Sequence, residues 1–295
     1  MLNKLNQVYE DFKENIGDKL CYLKCFKFTS DNIPDYNNED IQRYYLLRFM
    51  LGYFCEYYII YKTLIDMDFL ANNYKILSIG CGCQIDFWGL KQAKQLHKQD
   101  IDINYTGLDI VEWLYMDRCG EGNVYFINQD IRELERLDED DYNIIIFPKS
   151  IGEFDKITFN NLKKAIKNTN FTNNKLVLIS SLRNSKIDYD IDRTIEIMNT
   201  LKDEHKYEPI EVEDLEKCKD YPKKYNGYDY RLEDIIDEFM YPQEIKDYIT
   251  KLYTECQEYK DNNKCCEDDC KQILGRYPIT TMSQMKFQII RLERD

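Results

Sequence analysis

The sequence predicts an α/β fold built on a mostly parallel β-sheet. From Tyr74 onward, short apolar runs typical of strands alternate with helical stretches, and this alternation indicates βαβ units. Runs such as IIIF at 144–147 are continuously apolar, as expected of strands that are covered on both faces. A Gly-x-Gly turn follows the first run, at the place where such sheets bind nucleotides.

Each element is assigned from its own pattern. The expected strands are KILSI at 75–79, INYTGLDI at 103–110, NVYFI at 123–127, YNIIIF at 142–147 and KLVLIS at 175–180. The expected helical stretches between them are WGLKQAKQLHKQ at 88–99, VEWLYMDRC at 111–119, IRELERL at 131–137 and TFNNLKKAIKNT at 158–169. A further strand, QMKFQIIRLER, is expected at the end of the sequence.

The regions outside this alternation predict three additions to the sheet domain. Residues 1–70 predict a helical N-terminal cap, in which Asp40 caps a helix that is apolar on nearly all sides. Residues 71–215 form the sheet domain, residues 216–275 an inserted helical lid rich in Tyr and Cys, and residues 276–295 the last strand of the sheet domain.

Composition restricts the classes of function. The net charge is −14, and an acidic body gains nothing from counterion release, so the sequence disfavours a nucleic-acid partner. No run approaches the ~20 apolar residues of a membrane helix, and the first 20 residues contain no signal-peptide pattern. Eleven cysteines without an export signal predict reduced thiols and a cytoplasmic location, with no membrane partner. The oligomeric state is not predicted.

The Gly80-x-Gly82 turn is one of several polar features that follow successive strands. Glycine permits a sharp turn and a close approach of ligand to backbone. Asp109 ends the second expected strand, where a carboxylate can accept two hydrogen bonds from a ribose diol. Asp130 follows the third strand and can meet an adenine amino group. Pro148 and Ser150 follow the fourth strand, at the sheet edge where open α/β sheets place their ligands.

This order of motifs resembles the class I S-adenosylmethionine (SAM)-dependent methyltransferase superfamily over residues 74–181 and the final strand. The resemblance implies a Rossmann-like, mostly parallel seven-stranded sheet with an antiparallel last strand. It also implies that SAM is the cofactor and S-adenosylhomocysteine the product. The residues implied to bind the cofactor are Ser78, Gly80, Cys81, Gly82, Asp109, Ile110, Asp130, Ile131, Pro148 and Ser150.

Two positions depart from that family. Ser78 stands where the family often has an acid, and the third glycine is replaced around Cys83 and Gln84. Asp86 is a carboxylate that could act nearby. A nicotinamide-dinucleotide enzyme is the competing interpretation of a Gly-x-Gly turn, but Ile85 would crowd the pyrophosphate that its third small residue admits.

The family resemblance implies methyl transfer to a small molecule or a protein side chain. Lys149 and Glu153 are the catalytic candidates, the first to pair with an anionic acceptor and the second to take a proton. Local structural roles for both are the alternative. FPKS at 147–150 differs from the N-P-P-Y type of sequence found in enzymes that methylate base amines. A SAM-binding protein without catalysis, acting as a sensor or interaction subunit, remains the second hypothesis, and an RNA or DNA methyltransferase the third.

Three other groups of residues favour structural roles. Cys256, Cys265, Cys266 and Cys270 have no familiar zinc spacing, so no metal site is predicted and reduced thiols are favoured. His97 and His205 are expected at the surface rather than in catalysis. The tyrosines of the insertion, namely Tyr221, Tyr225, Tyr228 and Tyr230, are expected to pack within the lid, with stacking on a ligand as the alternative.

Overall fold

The computed structural model describes residues 2–16, 34–98, 100–117, 123–210, 226–231, 241–261 and 282–295. Its helices are α1 (Leu2–Ile16), α2 (Glu39–Asp66), α3 (Ile85–His97), α4 (Lys156–Asn168), α5 (Ile187–His205) and α6 (Gln243–Asp261). Its strands are β1 (Asn73–Ile79), β2 (Asp102–Asp109), β3 (Asn123–Asn128), β4 (Ile144–Pro148), β5 (Lys175–Ser181), β6 (Glu208–Pro209), β7 (Asn226–Arg231) and β8 (Met282–Glu293).

The strands form one mixed sheet in the order β3-β2-β1-β4-β5-β8-β6. The first five strands pair in parallel, whereas β8 runs antiparallel to both β5 and β6. The predicted seven-stranded sheet with an antiparallel last strand is confirmed along this path. The strand order reverses between β1 and β4, which is where the sheet opens a crevice at its carboxyl edge.

An eighth strand was not predicted. β7 pairs with β8 off the main path of the sheet, although its residues fall within the stretch expected to be a helical lid. Helix α6 is the other described part of that stretch. The rest of 216–275 lies outside the described residues, and so do the side chains of the cysteine and tyrosine groups named above.

The sheet is buried on both faces, because its central strands are continuously apolar. Ile144, Ile145, Ile146 and Phe147 of β4 all have no exposed surface. One face packs against α4 and α5, with Leu162, Ile166, Ile197 and Leu201 in the same apolar core as β4 and β5. This burial fixes the register of the strands and hence the position of the loops that follow them.

The N-cap of helix α2 differs from the one that the sequence indicates. The helix starts at Glu39, and the side-chain oxygen of Asn38 accepts hydrogen bonds from the N–H groups of Asp40 (2.9 Å) and Ile41 (3.3 Å). Asn38 is therefore the N-cap, and the expectation that Asp40 fills that position was wrong. Asp40 lies in the first turn instead and pairs with Arg43.

Two of the expected helices are replaced by turns. Residues 110–117 contain bends and turns rather than a helix. Only Ile131–Glu133 of the stretch 131–137 are helical, as a single 3-10 turn. Both stretches have apolar residues at helical spacing but are too short for a stable helix to be favoured over side-chain to backbone hydrogen bonds.

The chain divides into two compact units. The first contains residues 1–55, 113–116 and 230–283, and the second contains residues 56–112, 117–229 and 284–295. In the first unit α1 packs through Phe12 against Tyr44, and through Tyr9 against Tyr248 of α6. The second unit holds the sheet and the second part of α2. The four domain ranges given by the sequence stay a prediction. No described helix is long and apolar enough to cross a membrane.

Candidate functional site

The loop after β1 turns sharply at two glycines. Gly80 and Gly82 have φ values of 70° and 53°, in the left-handed region that favours glycine. The N–H groups of Gly80 and Cys81 both donate to the carbonyl of Leu108 on β2, at 2.7 and 3.2 Å. A methyl group at Gly80 would also lie 2.5 Å from Cβ of Ser150. Glycine is therefore required there both by conformation and by space.

Asp109 holds the loop from the end of β2. Its carboxylate accepts the N–H of Gly82 at 2.8 Å through Oδ2 and the N–H of Val111 at 2.9 Å through Oδ1. Ile110 projects beside it with 59% of its surface exposed. The amide of Asn128 donates to the carbonyls of Asp109 and Ile110 and fixes this turn. The structure thus brings Gly82, Asp109 and Ile110 together, as predicted for one binding edge.

A buried polar group lies beneath the loop. Asp86, in the first turn of α3, is 1% exposed, and both of its oxygens accept from the hydroxyl of Tyr105, at 2.9 and 3.1 Å. Ser78 is buried on β1, opposite Gly107 of β2. Burial raises the pKa of Asp86 to about 6, although the hydrogen bonds from Tyr105 oppose that rise. The sequence pointed to Asp86 only as a nearby carboxylate.

Gln84 keeps the backbone conformation of the missing third glycine. Its φ is 61°, again in the left-handed region, and its side chain is fully buried. Its Oε1 accepts the N–H of Asp117 at 3.2 Å. Gln84 therefore replaces a glycine of the expected motif, but the backbone keeps the left-handed turn at this position.

The thiol of Cys81 lies in the loop and has a raised pKa. Burial raises the pKa of its thiol well above the ordinary value, and the charges of Asp109 and Asp86 raise it further. The thiol is consequently protonated and is no nucleophile. Two carboxylates close enough to act on the same thiol also give the loop a negative potential.

The residues after β3 are placed less simply. Asp130 caps the 3-10 turn and is bound by the guanidinium of Arg132, at 2.6–3.1 Å, which lowers the pKa of its carboxyl. Ile131 is buried in the apolar core. Both residues follow β3 at its carboxyl end, as expected. The side chain of Asp130 pairs with Arg132, however, and that of Ile131 lies in the apolar core.

The segment after β4 is held by hydrogen bonds and by an ion pair. Ser150 donates its hydroxyl hydrogen to the carbonyl of Ile79, which joins the ends of β4 and β1 next to Pro148. Lys149 has a φ of 59°, and its Nζ lies 2.9 Å from Oε2 of Glu56 in α2 and 3.2 Å from the carbonyl of Leu182. Glu56 is 2% exposed. Lys149 is thus neither a solvent-facing side chain nor a free cation.

Glu153 is exposed to solvent but has a raised pKa. Its side chain is exposed, yet desolvation by the surrounding protein raises its pKa to about 7. The charge of Arg183 opposes this rise, and the charges of Asp190 and Asp109 add to it. Glu153 is therefore accessible and surrounded by charges of both signs.

Sequence reasoning missed the charged residues that support the 150–155 turn. Arg183, just after β5, binds the buried carboxylate of Asp190 in α5 through three hydrogen bonds of 2.6–3.1 Å. Arg193 donates to the carbonyls of Ile151 and Phe154. An Arg and an Asp seven residues apart after a strand were the only signal of this arrangement in the sequence.

The two histidines have structural partners. His97 lies 2.8 Å from the hydroxyl of Tyr58 through Nε2, and Nε2 of His205 lies 2.9 Å from the carbonyl of Ile166. His97 is exposed, whereas His205 is only partly exposed. Within the described part of the chain, no three His, Cys, Asp or Glu side chains are arranged to hold a metal ion.

Comparisons with known proteins give structural likeness only. No family model and no curated protein matches the sequence. The plantazolicin methyltransferase BpumL, in a structure with a desmethylplantazolicin analogue and S-adenosylhomocysteine, is 13% identical at a TM-score of 0.42, over 100% of both chains. A putative methyltransferase from Bacillus halodurans is 12% identical at 0.39, over 79% of this chain and 97% of that one.

A third similar structure, the YcgJ protein from Bacillus subtilis, is 11% identical at a TM-score of 0.37, over 80% of this chain and 98% of that one. At these identities we take nothing about ligand or acceptor from the three proteins. The strand order, the antiparallel β8 and the glycine loop at the reversal point of the sheet stand on the structure of the chain itself. They give it a Rossmann-like α/β fold with an antiparallel last strand.

Proposed function

We propose that the protein binds SAM at the carboxyl edge of its sheet and transfers the methyl group to a small molecule or a protein side chain. The observation that carries this proposal is the geometry of the glycine loop, which turns at Gly80 and Gly82 after β1 and is held by Asp109 at the end of β2. Asp109 and Asp86 both act on the thiol of Cys81. SAM carries positive charge on its sulfonium and ammonium groups, so this loop favours it over an anionic ligand.

The same loop disfavours a dinucleotide. A pyrophosphate is bound by unpaired N–H groups at a helix N-terminus. In this chain the N–H groups of Gly80, Cys81 and Gly82 are used by Leu108 and Asp109. Two carboxylates beside the loop would also repel a phosphate.

The proposed roles of the cofactor-binding residues follow from their positions. A carboxylate oxygen can accept more than one hydrogen bond, so Asp109 suits the ribose hydroxyls in addition to the two N–H groups that it accepts. The exposed surface of Ile110 suits the face of an adenine, and Asp130 suits its amino group. Gly80, Cys81 and Gly82 would lie under the methionine part of the cofactor, with Ser78 behind them and with Ile131, Pro148 and Ser150 shaping the edge.

The catalytic step is proposed to need a base but no nucleophile from the protein. SAM supplies an electrophilic methyl group, and the acceptor's oxygen or nitrogen attacks it. Glu153 has a pKa of about 7 and is exposed after β4, so it suits removal of a proton from a hydroxyl or ammonium group of the acceptor. Lys149 is bound by Glu56, which supports a positioning role rather than contact with an anionic acceptor.

A SAM-binding protein without catalysis is the second candidate. It would bind SAM in the same way, but Glu153 would take no proton and no acceptor would be methylated. An RNA or DNA methyltransferase is the third candidate, and the net charge of −14 weighs against it. A cytoplasmic location is proposed from the eleven cysteines, an odd number that favours reduced thiols.

Calorimetry with SAM, S-adenosylhomocysteine and NAD⁺ tests the proposal. We expect binding of the first two and none of NAD⁺, and we expect Asp109→Asn to weaken binding about tenfold or more, the range for losing a hydrogen bond to a charged group. Folded protein that shows no heat with SAM at roughly millimolar concentration, corresponding to less than about 4 kcal/mol of binding, would contradict it. Release of S-adenosylhomocysteine with a pool of metabolites then separates the enzyme from a sensor.

A further inference from the structure

We propose that Asp86 is a positioning residue, whose buried negative charge holds the glycine loop in place and supplies part of the potential that the cationic end of the ligand requires. This inference rests on the proposed function, because it concerns the same site. Asp86 does not line the cleft, since only 1% of its surface is exposed. It would act on the ligand through the loop and through its charge.

The position of Asp86 joins three elements around the loop. The loop leaves β1 at Ile79 and enters α3 at Ile85, and Asp86 is the second residue of that helix. The hydroxyl of Tyr105 on β2 donates to both carboxylate oxygens. The carboxylate therefore ties the far end of the loop to β2, while Leu108 ties its near end to the same strand.

The packing around Tyr105 leaves room for this bond because residue 107 is a glycine. A methyl group at Gly107 would lie 2.8 Å from Sγ of Cys81 and 3.3 Å from Cε1 of Tyr105. Ser78 lies opposite Gly107 in the register of β1 and β2. The small residues at 78 and 107 thus open the space that the tyrosine ring and the loop cysteine fill.

The buried carboxylate of Asp86 lowers the stability of the fold when it is ionised. Its pKa in the folded protein is about 6, above the ordinary value of 3.8, because burial disfavours its charged form. The folded state is therefore favoured by protonation of Asp86, and this stabilisation is lost as the pH rises through about 6. At neutral pH the carboxylate is ionised and lowers the stability of the fold.

A purely structural acid would show the opposite behaviour. A carboxylate that stabilises a fold has a lowered pKa, as Asp130 has beside Arg132. A carboxylate that is buried beneath the loop and tied to Tyr105 through both oxygens is placed to act on a cation that the loop binds. The two interpretations therefore differ in the sign of the stability change on neutralisation.

The principal test is Asp86→Asn, compared with Asp188→Asn. Both residues are the second residue of a helix, α3 and α5, so loss of the helix-dipole contribution is matched, whereas Asp188 is exposed. At pH 7.5 we expect Asp86→Asn to bind SAM about ten- to a hundredfold more weakly, the loss expected for removing one charge-assisted contact. Its Tm should equal or exceed that of the wild type. Asp188→Asn should bind SAM normally.

A second pair of variants covers the case in which Asp86→Asn fails to fold. Tyr105→Phe removes the donor to Asp86 and keeps the ring that packs on Phe87. Tyr142→Phe removes a comparable buried hydroxyl, which donates to Asp138 at 2.7 Å. We expect weaker SAM binding for Tyr105→Phe and unchanged binding for Tyr142→Phe.

The pH dependence of SAM affinity separates the effect of the charge of Asp86 from the effect of its hydrogen bonds on the loop. The charge of Asp86 acts on Tyr61 of α2, Tyr105 of β2 and Cys81 of the loop, and Asp109 and Cys83 also act on Cys81. Burial raises the pKa values of Tyr61, Tyr105 and Cys81 far above neutrality, so these three stay uncharged between pH 5 and pH 8. The measurement is made in a Glu153→Gln background, which removes that second titration. Affinity should then fall below about pH 6 when Asp86 is present and should stay flat in Asp86→Asn, whose amide does not titrate.

The outcomes are distinguishable. If the wild type binds no SAM, the proposed function fails and this inference fails with it. If the wild type binds SAM and Asp86→Asn binds it equally well, only the inference on Asp86 is overturned. A lower Tm for Asp86→Asn at pH 7.5, with unchanged affinity, would show that the carboxylate serves the fold alone.

Discussion

At the scale of single residues, Gly80 is the position with the least freedom. Its left-handed φ and the approach of Ser150 act together in the sharp turn that leads from β1 into α3.

Gly80→Ala is therefore expected to lower the free energy of unfolding by about 1–3 kcal/mol, because it combines a left-handed alanine with overpacking against Ser150. Urea unfolding measures the loss. The double variant Gly80→Ala/Ser150→Gly removes the side chain that the new methyl group meets, so it should recover the steric part. An unchanged midpoint for Gly80→Ala would mean that the loop can take another conformation.

Glu153 gives a second prediction at this scale. If Glu153 is the base, kcat/KM for methyl transfer should rise with pH through about 7, since only its ionised form accepts a proton. Glu153→Gln should lower kcat and remove that rise, without weakening SAM binding. A pH profile that is the same for both proteins would assign the proton transfer elsewhere.

At the scale of elements, α2 carries more than a capping role. Its residue Glu56 lies in the same unit as the sheet and pairs with Lys149 at the carboxyl end of β4. A buried ion pair costs desolvation energy and is destabilising when only one partner is removed. The pair fixes the turn that leads into the segment containing Glu153.

Lys149→Met is expected to destabilise the protein by about 3 kcal/mol, because Glu56 is left as an uncompensated buried charge. The double variant Glu56→Gln/Lys149→Met should be closer to the wild type. The more exposed pair of Lys163 and Glu196 is the control, and Lys163→Met should cost no more than about 1 kcal/mol. If the double variant also recovers methyl transfer, Lys149 is a positioning residue; inactivity of a stable double variant would favour its predicted catalytic role.

The strands could be predicted from the sequence, whereas the connections after β2 and β3 could not. A continuous apolar run such as that of β4 is buried only as a strand that is covered on both faces of the sheet. The stretch 111–119 has apolar spacing that suits a helix, but Trp113 to Met116 belong to the first unit, where Gln42 accepts the N–H of Leu114. Such a long-range contact leaves no mark in the local sequence.

The positions of the candidate site residues were predictable to the same extent. Gly80, Gly82 and Asp109 were identified because backbone geometry and strand ends constrain their types. Asp86 and Glu56 were not assigned roles, because their partners lie far away in the sequence, on β2 and just after β4. Arg183 was missed although Asp190 is only seven residues away, because no local pattern marks an ion pair between the end of β5 and α5. Ionic pairing across elements has no periodicity that could be recognised.

At the scale of the whole molecule, the net charge of −14 sets which partners can approach. A phosphate backbone is repelled at distances up to the Debye length of about 8 Å at physiological salt. The cations at the carboxyl edge of the sheet described here, Lys149 and Arg183, are already bound by Glu56 and Asp190.

We therefore expect no measurable binding of single-stranded DNA, RNA or tRNA in fluorescence anisotropy at about 0.15 M salt, and none of the steep salt dependence that phosphate contacts produce. A basic nucleic-acid-binding protein of similar size is the control for the probes. Affinity in the micromolar range or tighter that falls steeply with salt would revive the third functional hypothesis.

The hydrogen bonds of the glycine loop have a kinetic consequence. The N–H groups of Gly80, Cys81 and Gly82 are held by Leu108 and Asp109, all within the protein, so the conformation of the loop does not depend on a ligand. A ligand that meets such a loop has no segment to fold before the complex forms. Association at this edge of the sheet should then be a single bimolecular step, with an observed rate that rises linearly with ligand concentration and no slow phase.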